Sequence, residues 1–392
     1  MNRPSNKITS NLLALLLGCV FAAVLGEIAL EIYFGKNKLF CMHEPNISLS
    51  IRLPHGIIRG LQERFRYSTN RQGMRGNDYP EDSSSYRILA VGGSTTICTY
   101  LDDAKTWPAL VQKGLPRALD GRAVWVGTVG ASGLTTRSHI LQMHYLAPQY
   151  RVEAMFLLAG INDLVLRLWE HEKYDPDFMK DEINRSSQMP RIFSAIPDSM
   201  VHPFYKRSGF WKLARRTRSA YTNLSSKKKF TSDLIEWRRY RSDGQKIRTI
   251  PDLSAAVEEY ERNLEQIIEL SKQRNIRLIM LTQPVIWRAG MPEENENLLF
   301  GFIGDPVFAA RHAHYSAEVL EACMKLYNAK LLQLCRQLHI ECIDLASMLP
   351  QNSQVFYDDC HFTELGAELV ADIVVEYLRT RPPFQTTAIQ EK

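Results

Sequence analysis

Ser94, Asn162 and the pair Asp358 and His361 are the residues whose types and placement could do chemistry in this chain. A serine hydroxyl is a weak nucleophile until a base removes its proton. Imidazole exchanges a proton near neutral pH, which makes His361 the natural base. Asp358 stands three residues before it, close enough in a turn to accept the other ring N–H and fix the tautomer. Asp359 competes for that role, although the D-x-x-H spacing favours Asp358. A tetrahedral intermediate also needs donors for its oxyanion, and three are on offer: the Asn162 amide and the backbone N–H groups of Gly133 and Ser94. Glycine at 133 lets the backbone approach a substrate closely. Together these groups could carry out acyl transfer at an ester.

Such residues need a scaffold that brings four distant loops together. Apolar runs at 87–93, 123–130, 153–160, 276–284 and 340–346 read as strands. Helical patterns separate them at 106–119, 137–150, 253–275 and 318–339, and a last one closes the chain at 363–380. Strands that are nearly continuous apolar runs, separated by helices, indicate a parallel sheet covered on both faces. Ligands bind such sheets beyond the carboxyl ends of the strands. Ser94 follows the first strand, "GASG" ending at Gly133 the second, "GIND" with Asn162 and Asp163 the third, and "DDCH" comes after the last.

Each piece alone has a plainer reading. Ser94 could be a helix N-cap, "GIND" a turn held by local side-chain bonds, and Gly133 ordinary turn chemistry. "DDCH" could be a metal fragment, but no second ligand cluster has suitable spacing, so neither a metal nor an organic cofactor is expected. The joint order, with each piece placed after a strand, is what none of these readings explains. Trp107, Asn70 and Arg75 could line or brace the site. His139 reads as a helix surface or core residue, and His202 has no motif around it.

The four blocks resemble the SGNH hydrolases, also called GDSL esterases or lipases. They occur in the family's order: "GGST" at Ser94, "GASG" at Gly133, "GIND" at Asn162 and "DDCH" at Asp358 and His361. The resemblance runs from about Ser68 to Thr380, and "STNRQGMRGND" and "TWPALVQKGL" are similar to the membrane-anchored bacterial members. The family's usual Gly-Asp-Ser reads Gly92-Gly93-Ser94 here. The resemblance implies a three-layer α/β/α, flavodoxin-like fold with a parallel sheet. It also implies Ser94 as nucleophile, His361 as base, Asp358 as its partner, and an oxyanion hole of Ser94, Gly133 and Asn162. The implied substrate is an acyl ester, with O-acetyl or short acyl groups on a carbohydrate or lipid. Two alternatives stay open: an O-acyltransferase on an envelope polysaccharide, and a catalytically silent binding protein of the cell envelope.

Composition sets the remaining bounds. The chain has 392 residues, of which 45% are hydrophobic and 23% charged, so it is a folded protein and not a disordered one. Its net charge of +5 is uneven: Lys206–Arg248 holds fourteen basic against three acidic residues, which leaves the rest at about −6 (5 − 11). That segment could lie on anionic lipid or accept an anionic polymer, or it could be a solvated helical face; no nucleic-acid-binding motif accompanies it. Residues 11–34 are long and apolar enough for a single-pass membrane anchor, interrupted by Glu27 and Glu31. Arg3 and Lys7 flank one end, Lys36 and Lys38 the other, so charge alone leaves the orientation open. An extracytoplasmic catalytic domain is expected. The expected division is an anchor (1–34), a stalk that packs on the body (35–85), a hydrolase domain (86–381) with a basic insertion near 175–251, and a tail (382–392). Of seven cysteines, one lies in the anchor and six are compatible with either redox compartment.

Overall fold

The computed structural model describes residues 5–35, 38–53, 56, 58–201, 203–218, 244–299 and 313–384. These fall into two compact units, one within 41–195 and 233–392, the other within 1–40 and 196–232.

The smaller unit contains α1, Ser5–Phe34, and a helix over 209–218. Within α1, the span Thr9–Phe34 holds an 18-residue window with a mean hydropathy of 2.4 and no buried share, so by length and composition it can cross a membrane.

The larger unit opens with a hairpin of β1, Ser48–Arg52, and β2, Arg64–Ser68. Its centre is a five-stranded parallel sheet of β3 (Ser85–Gly92), β4 (Ala123–Thr128), β5 (Ala154–Leu158), β7 (Arg277–Leu281) and β9 (Glu341–Ile343), in the order β4-β3-β5-β7-β9. A second parallel pair joins β6 (Gln245–Ile247) to β8 (Ala313–Tyr315). Every residue of β3 and of β5 is buried, as a sheet covered on both faces requires. Counting only the sheet strands, the order is 2-1-3-4-5, the flavodoxin-like arrangement, which opens a crevice beyond the carboxyl ends of β3 and β5. The register Gly92↔Leu158 brings those two ends level.

Local chemistry sets the helix boundaries. A one-turn helix, α2 (Ser94–Ile97), ends at Cys98, whose φ of 50° is left-handed. The Thr106 hydroxyl caps α3 (Trp107–Gly114) by accepting from the Ala109 N–H at 3.4 Å, and Pro116 prevents it from running to 119. The pattern at 137–150 forms α4 (Thr136–Leu141), then a π-turn and a 3-10 turn. After β5 comes α5, Ile161–Glu170. Ser316 and Thr363 cap the helices Ala317–Leu338 and Glu364–Arg379.

Some boundaries differ from the expected division. The larger unit begins at Cys41 and keeps the two ends of the expected insertion, 175–195 and 244–251, while 196–218 groups with α1. Of the expected tail, Phe384 is buried against Tyr86 and Pro383 accepts the Leu119 N–H at 2.9 Å, because the closing helix leaves that ring facing β3. The remainder, 385–392, lies outside the described residues, as do His202 and residues 219–243 of the basic segment. Cys335 and Cys342 are bonded to each other.

Candidate active site

The chain bends sharply where β3 ends, and Gly92 and Gly93 permit it. A Cβ at Gly92 would lie 2.5 Å from the Leu158 carbonyl oxygen and 2.2 Å from Thr96 Oγ1, so β3 and β5 could not converge with any side chain there. A Cβ at Gly93 would lie 2.4 Å from Asn162 Nδ2. The Asn162 amide is held in place by donating to the Leu134 carbonyl at 2.8 Å. In this backbone a side chain at 93, as in Gly-Asp-Ser, would press on this amide.

Ser94 opens α2 and so has no intrahelical acceptor for its own N–H. Its Oγ lies 2.7 Å from His361 Nε2. The other ring nitrogen, Nδ1, lies 2.7 Å from Asp358 Oδ2 and 2.9 Å from Oδ1. Oδ1 also accepts the backbone N–H groups of Cys360 at 3.0 Å and His361 at 2.8 Å. The D-x-x-H spacing closes on itself, and the carboxylate is fully buried. Asp359 points elsewhere and accepts from Trp287 Nε1 at 2.8 Å, which settles the competition between the two aspartates. The Tyr357 ring stacks on His361, with centroids 5.5 Å apart and planes 11° from parallel.

Burial opposes the charged imidazolium of His361, but the Asp358 carboxylate outweighs it, and the ring's pKa stands well above its ordinary value. Cys360 adds to this rise, while burial raises its own thiol. Donor atoms of Asp358, Cys360 and His361 lie within 4.8 Å of one another. The carboxylate there is already engaged by the ring and two backbone N–H groups, which suits orientation of the imidazole better than ligation.

The two remaining blocks pack on the turn around Ser94, the Asn162 amide beside Gly93 and Gly130 against α2. Gly130 packs against α2, where a Cβ would be 2.9 Å from both the Gly93 oxygen and the Ile97 nitrogen. Gly133 has φ +77° with open space around it, consistent with a backbone that a substrate can approach. Thr136 donates to Asp163 Oδ1 through its N–H at 3.0 Å and its hydroxyl at 2.5 Å, tying the Gly133 loop to the Asn162 turn. Burial pushes the Asp163 carboxyl up to about 7, against the Thr136 hydrogen bonds that lower it.

Trp107, Asn70 and Arg75 brace the site and do not line it. Trp107 donates to the Thr95 carbonyl at 3.1 Å. Asn70 closes its own loop onto Gln72, Met74 and Asn77. Arg75, 2% exposed, donates to the carbonyls of Ile97, Cys98 and Leu101 and pairs with Asp103 at 2.9 Å. His139 is a core residue: burial lowers it to about 4, and Gln142 faces its Nδ1 at 2.7 Å. Three supports went unread in the sequence. His43 meets the Gly130 carbonyl at 2.9 Å, Tyr357 stacks on His361, and Gln283 is buried beside Thr95. His43 and Gln283 act across 87 and 188 residues, and no local pattern announces either.

With the geometry in hand, comparison with known proteins gives the following. The model of the GDSL-like lipase/acylhydrolase family matches residues 90–369. No curated protein matches the chain. Among solved structures, a member of the lipolytic protein G-D-S-L family from Veillonella parvula is 13% identical, covering 75% of this chain and 99% of its own at a TM-score of 0.39. An acetylxylan esterase from Geobacillus stearothermophilus is also 13% identical, covering 74% and 93%, again at 0.39. Likenesses this remote carry no substrate information.

Proposed function

Because the chain belongs to the GDSL-like lipase/acylhydrolase family, we propose that it is a membrane-anchored serine hydrolase that cleaves a short acyl ester on a carbohydrate or lipid. The observation that carries this reading is the line from Asp358 Oδ2 through His361 to Ser94 Oγ, with 2.7 Å at each step. In the proposed reaction, Ser94 Oγ attacks the ester carbonyl as its proton passes to His361 Nε2. Asp358 accepts the Nδ1–H and stabilises the imidazolium. The oxyanion takes hydrogen bonds from the Ser94 and Gly133 N–H groups and the Asn162 amide. His361 returns the proton to the leaving alkoxide; a water, giving its proton to the same base, then attacks the acyl-serine carbonyl, and the acid leaves as His361 returns that proton to Ser94 Oγ. Spanning by α1, with the larger unit on the extracytoplasmic side, completes the proposal.

The test is fluorophosphonate labelling together with turnover of p-nitrophenyl esters from acetate to palmitate, in the wild type and in Ser94→Ala. Labelling and turnover that vanish in the variant, with turnover greatest on acetate, are the expected result. A folded wild type that gives neither would overturn the hydrolase reading, and turnover greatest on palmitate would overturn the short-acyl part.

A further inference from the structure

The smaller unit offers a second binding surface. α1 has no charged residue from Ile8 to Gly26, and Lys7 and Glu27 bracket that stretch. At about 1.5 Å per residue the two charges stand about 30 Å apart, the thickness of a bilayer's hydrocarbon core. Glu27 is therefore where α1 reaches the far edge of that layer. Its carboxylate is engaged there: Oε1 accepts the Gly209 N–H at 2.6 Å and Oε2 the Phe210 N–H at 3.0 Å. These residues begin the helix over 209–218. A Cβ at Gly209 would lie 2.5 Å from Leu30 Cβ, and one at Gly26 would lie 3.0 Å from the Phe210 ring, so the two helices touch closely. Lys212 fastens the contact further, donating to the Gly35 carbonyl at 3.0 Å and pairing with Asp198 at 2.8 Å.

What this element presents at that depth is specific. Tyr205, Phe210, Trp211 and Leu213 are 50, 47, 42 and 39% exposed. Tyr205 and Trp211 meet edge to face, and Lys206 lies over the Trp211 ring. Phe210, Leu213, Ala214 and Thr217 recur three and four apart along one helix face, while Lys212, Arg215 and Arg216 follow another. From Lys206 to Arg218 there are six basic residues and no acidic one. Amphipathic rings favour the water–lipid boundary, and cations beside them are drawn to anionic headgroups.

We propose that residues 205–218 form a membrane-interface element, held at headgroup depth by Glu27, that docks on the anionic lipid of the bilayer crossed by α1. The inference rests on α1 spanning a membrane, which belongs to the reading above. A merely solvated charge run would have no reason to be tied to the end of the apolar span, nor to leave three aromatic rings half exposed there.

The experiment uses the full chain in nanodiscs of phosphatidylcholine with or without phosphatidylglycerol. Quenching of Trp211 by brominated lipid is read as the difference between wild type and Trp211→Phe. Quenching is expected with phosphatidylglycerol and is expected to weaken in its absence. In the triple variant Arg215→Gln, Arg216→Gln, Arg218→Gln, the docked-to-free ratio should drop on the order of a hundredfold, at about fivefold per charge. Trp211 unquenched in phosphatidylglycerol discs, or quenched equally in the triple variant, would overturn the proposal. Resistance to alkaline carbonate extraction is measured in parallel. A chain that resists extraction but keeps Trp211 in water refutes only this inference, whereas a chain released by carbonate refutes the spanning of α1 itself.

Discussion

Replacing Asp358 by asparagine asks whether the carboxylate sets the tautomer of His361 or merely closes a turn. The asparagine oxygen can keep the Cys360 and His361 backbone N–H groups, now at 3.0 and 2.8 Å, so the loop should survive. The amide nitrogen would then face His361 Nδ1 in place of the oxygen now 2.7 Å away, and it can only donate. That amide favours the tautomer with the ring proton on Nε2, 2.7 Å from Ser94 Oγ, where the nitrogen could no longer receive one. A wrongly tautomerised histidine of this kind costs about 10⁴ in kcat, which is about 5.5 kcal/mol on the barrier. Folding stability, measured above the pH at which His361 loses its proton, should change by less than about 1 kcal/mol, since the buried backbone donors keep their acceptor. The assay is the rate of fluorophosphonate labelling and of p-nitrophenyl acetate turnover, with a thermal melt alongside. Asp359→Asn is the control, because its oxygen can still accept from Trp287 and its rates should stay within about tenfold of wild type. An Asp358→Asn enzyme within tenfold of wild type, or an Asp359→Asn enzyme more damaged than it, would refute the reasoning.

Asn162→Ala should lower kcat by about 10²–10³ with little change in KM, since the amide is proposed to act on the oxyanion and not on the bound ester. Gly93→Ala, whose Cβ would fall 2.4 Å from Asn162 Nδ2, should cost about tenfold or more in kcat by displacing that amide, and Asn162→Ala in the same chain should then cost less than it does in the wild type. Arg75→Met should destabilise the fold by about 3–5 kcal/mol in urea titration, because three carbonyls and Asp103 lose a buried charged donor. His361 must be neutral to accept a proton. With its pKa held up by Asp358 against burial, the acidic limb of kcat/KM should lie above the usual histidine value. The same raised value stabilises the fold below about pH 6.5, and that contribution is lost as pH rises through the folded-state pKa, which titration of the melting midpoint would detect.

The five sheet strands were legible because each is an apolar run too continuous for a surface strand, and β3 and β5 are in fact buried throughout. The meeting of Ser94, Asp358 and His361, with Asn162 beside Gly93, was legible because each stands after a strand's carboxyl end or in a turn whose spacing closes on itself. The β1–β2 hairpin was hidden by its largely exposed strands of mixed polar and apolar residues, which look like loop. The short β6–β8 pair, three residues a side, is below what any alternation can reveal. Boundaries misled where one residue overrode a longer pattern, as Pro116 does at the end of α3. The association of 196–218 with α1 was invisible because it depends on one carboxylate meeting two backbone N–H groups across about 180 residues.

The guanidinium of Arg75 has a consequence for descent. It lies ahead of the stretch that matches the family, yet it satisfies the carbonyls of the turn that follows Ser94. The turn and the upstream segment are therefore one heritable piece: a lineage that lost the arginine would need a new donor for three buried oxygens or a longer first helix to absorb them. Arginine at 75 and an acid at 103 should accordingly be kept or lost together. The same holds for transplantation, since residues 88–101 moved alone would arrive with the Ile97, Cys98 and Leu101 carbonyls bare, and the smallest portable unit runs from β2 to Lys105.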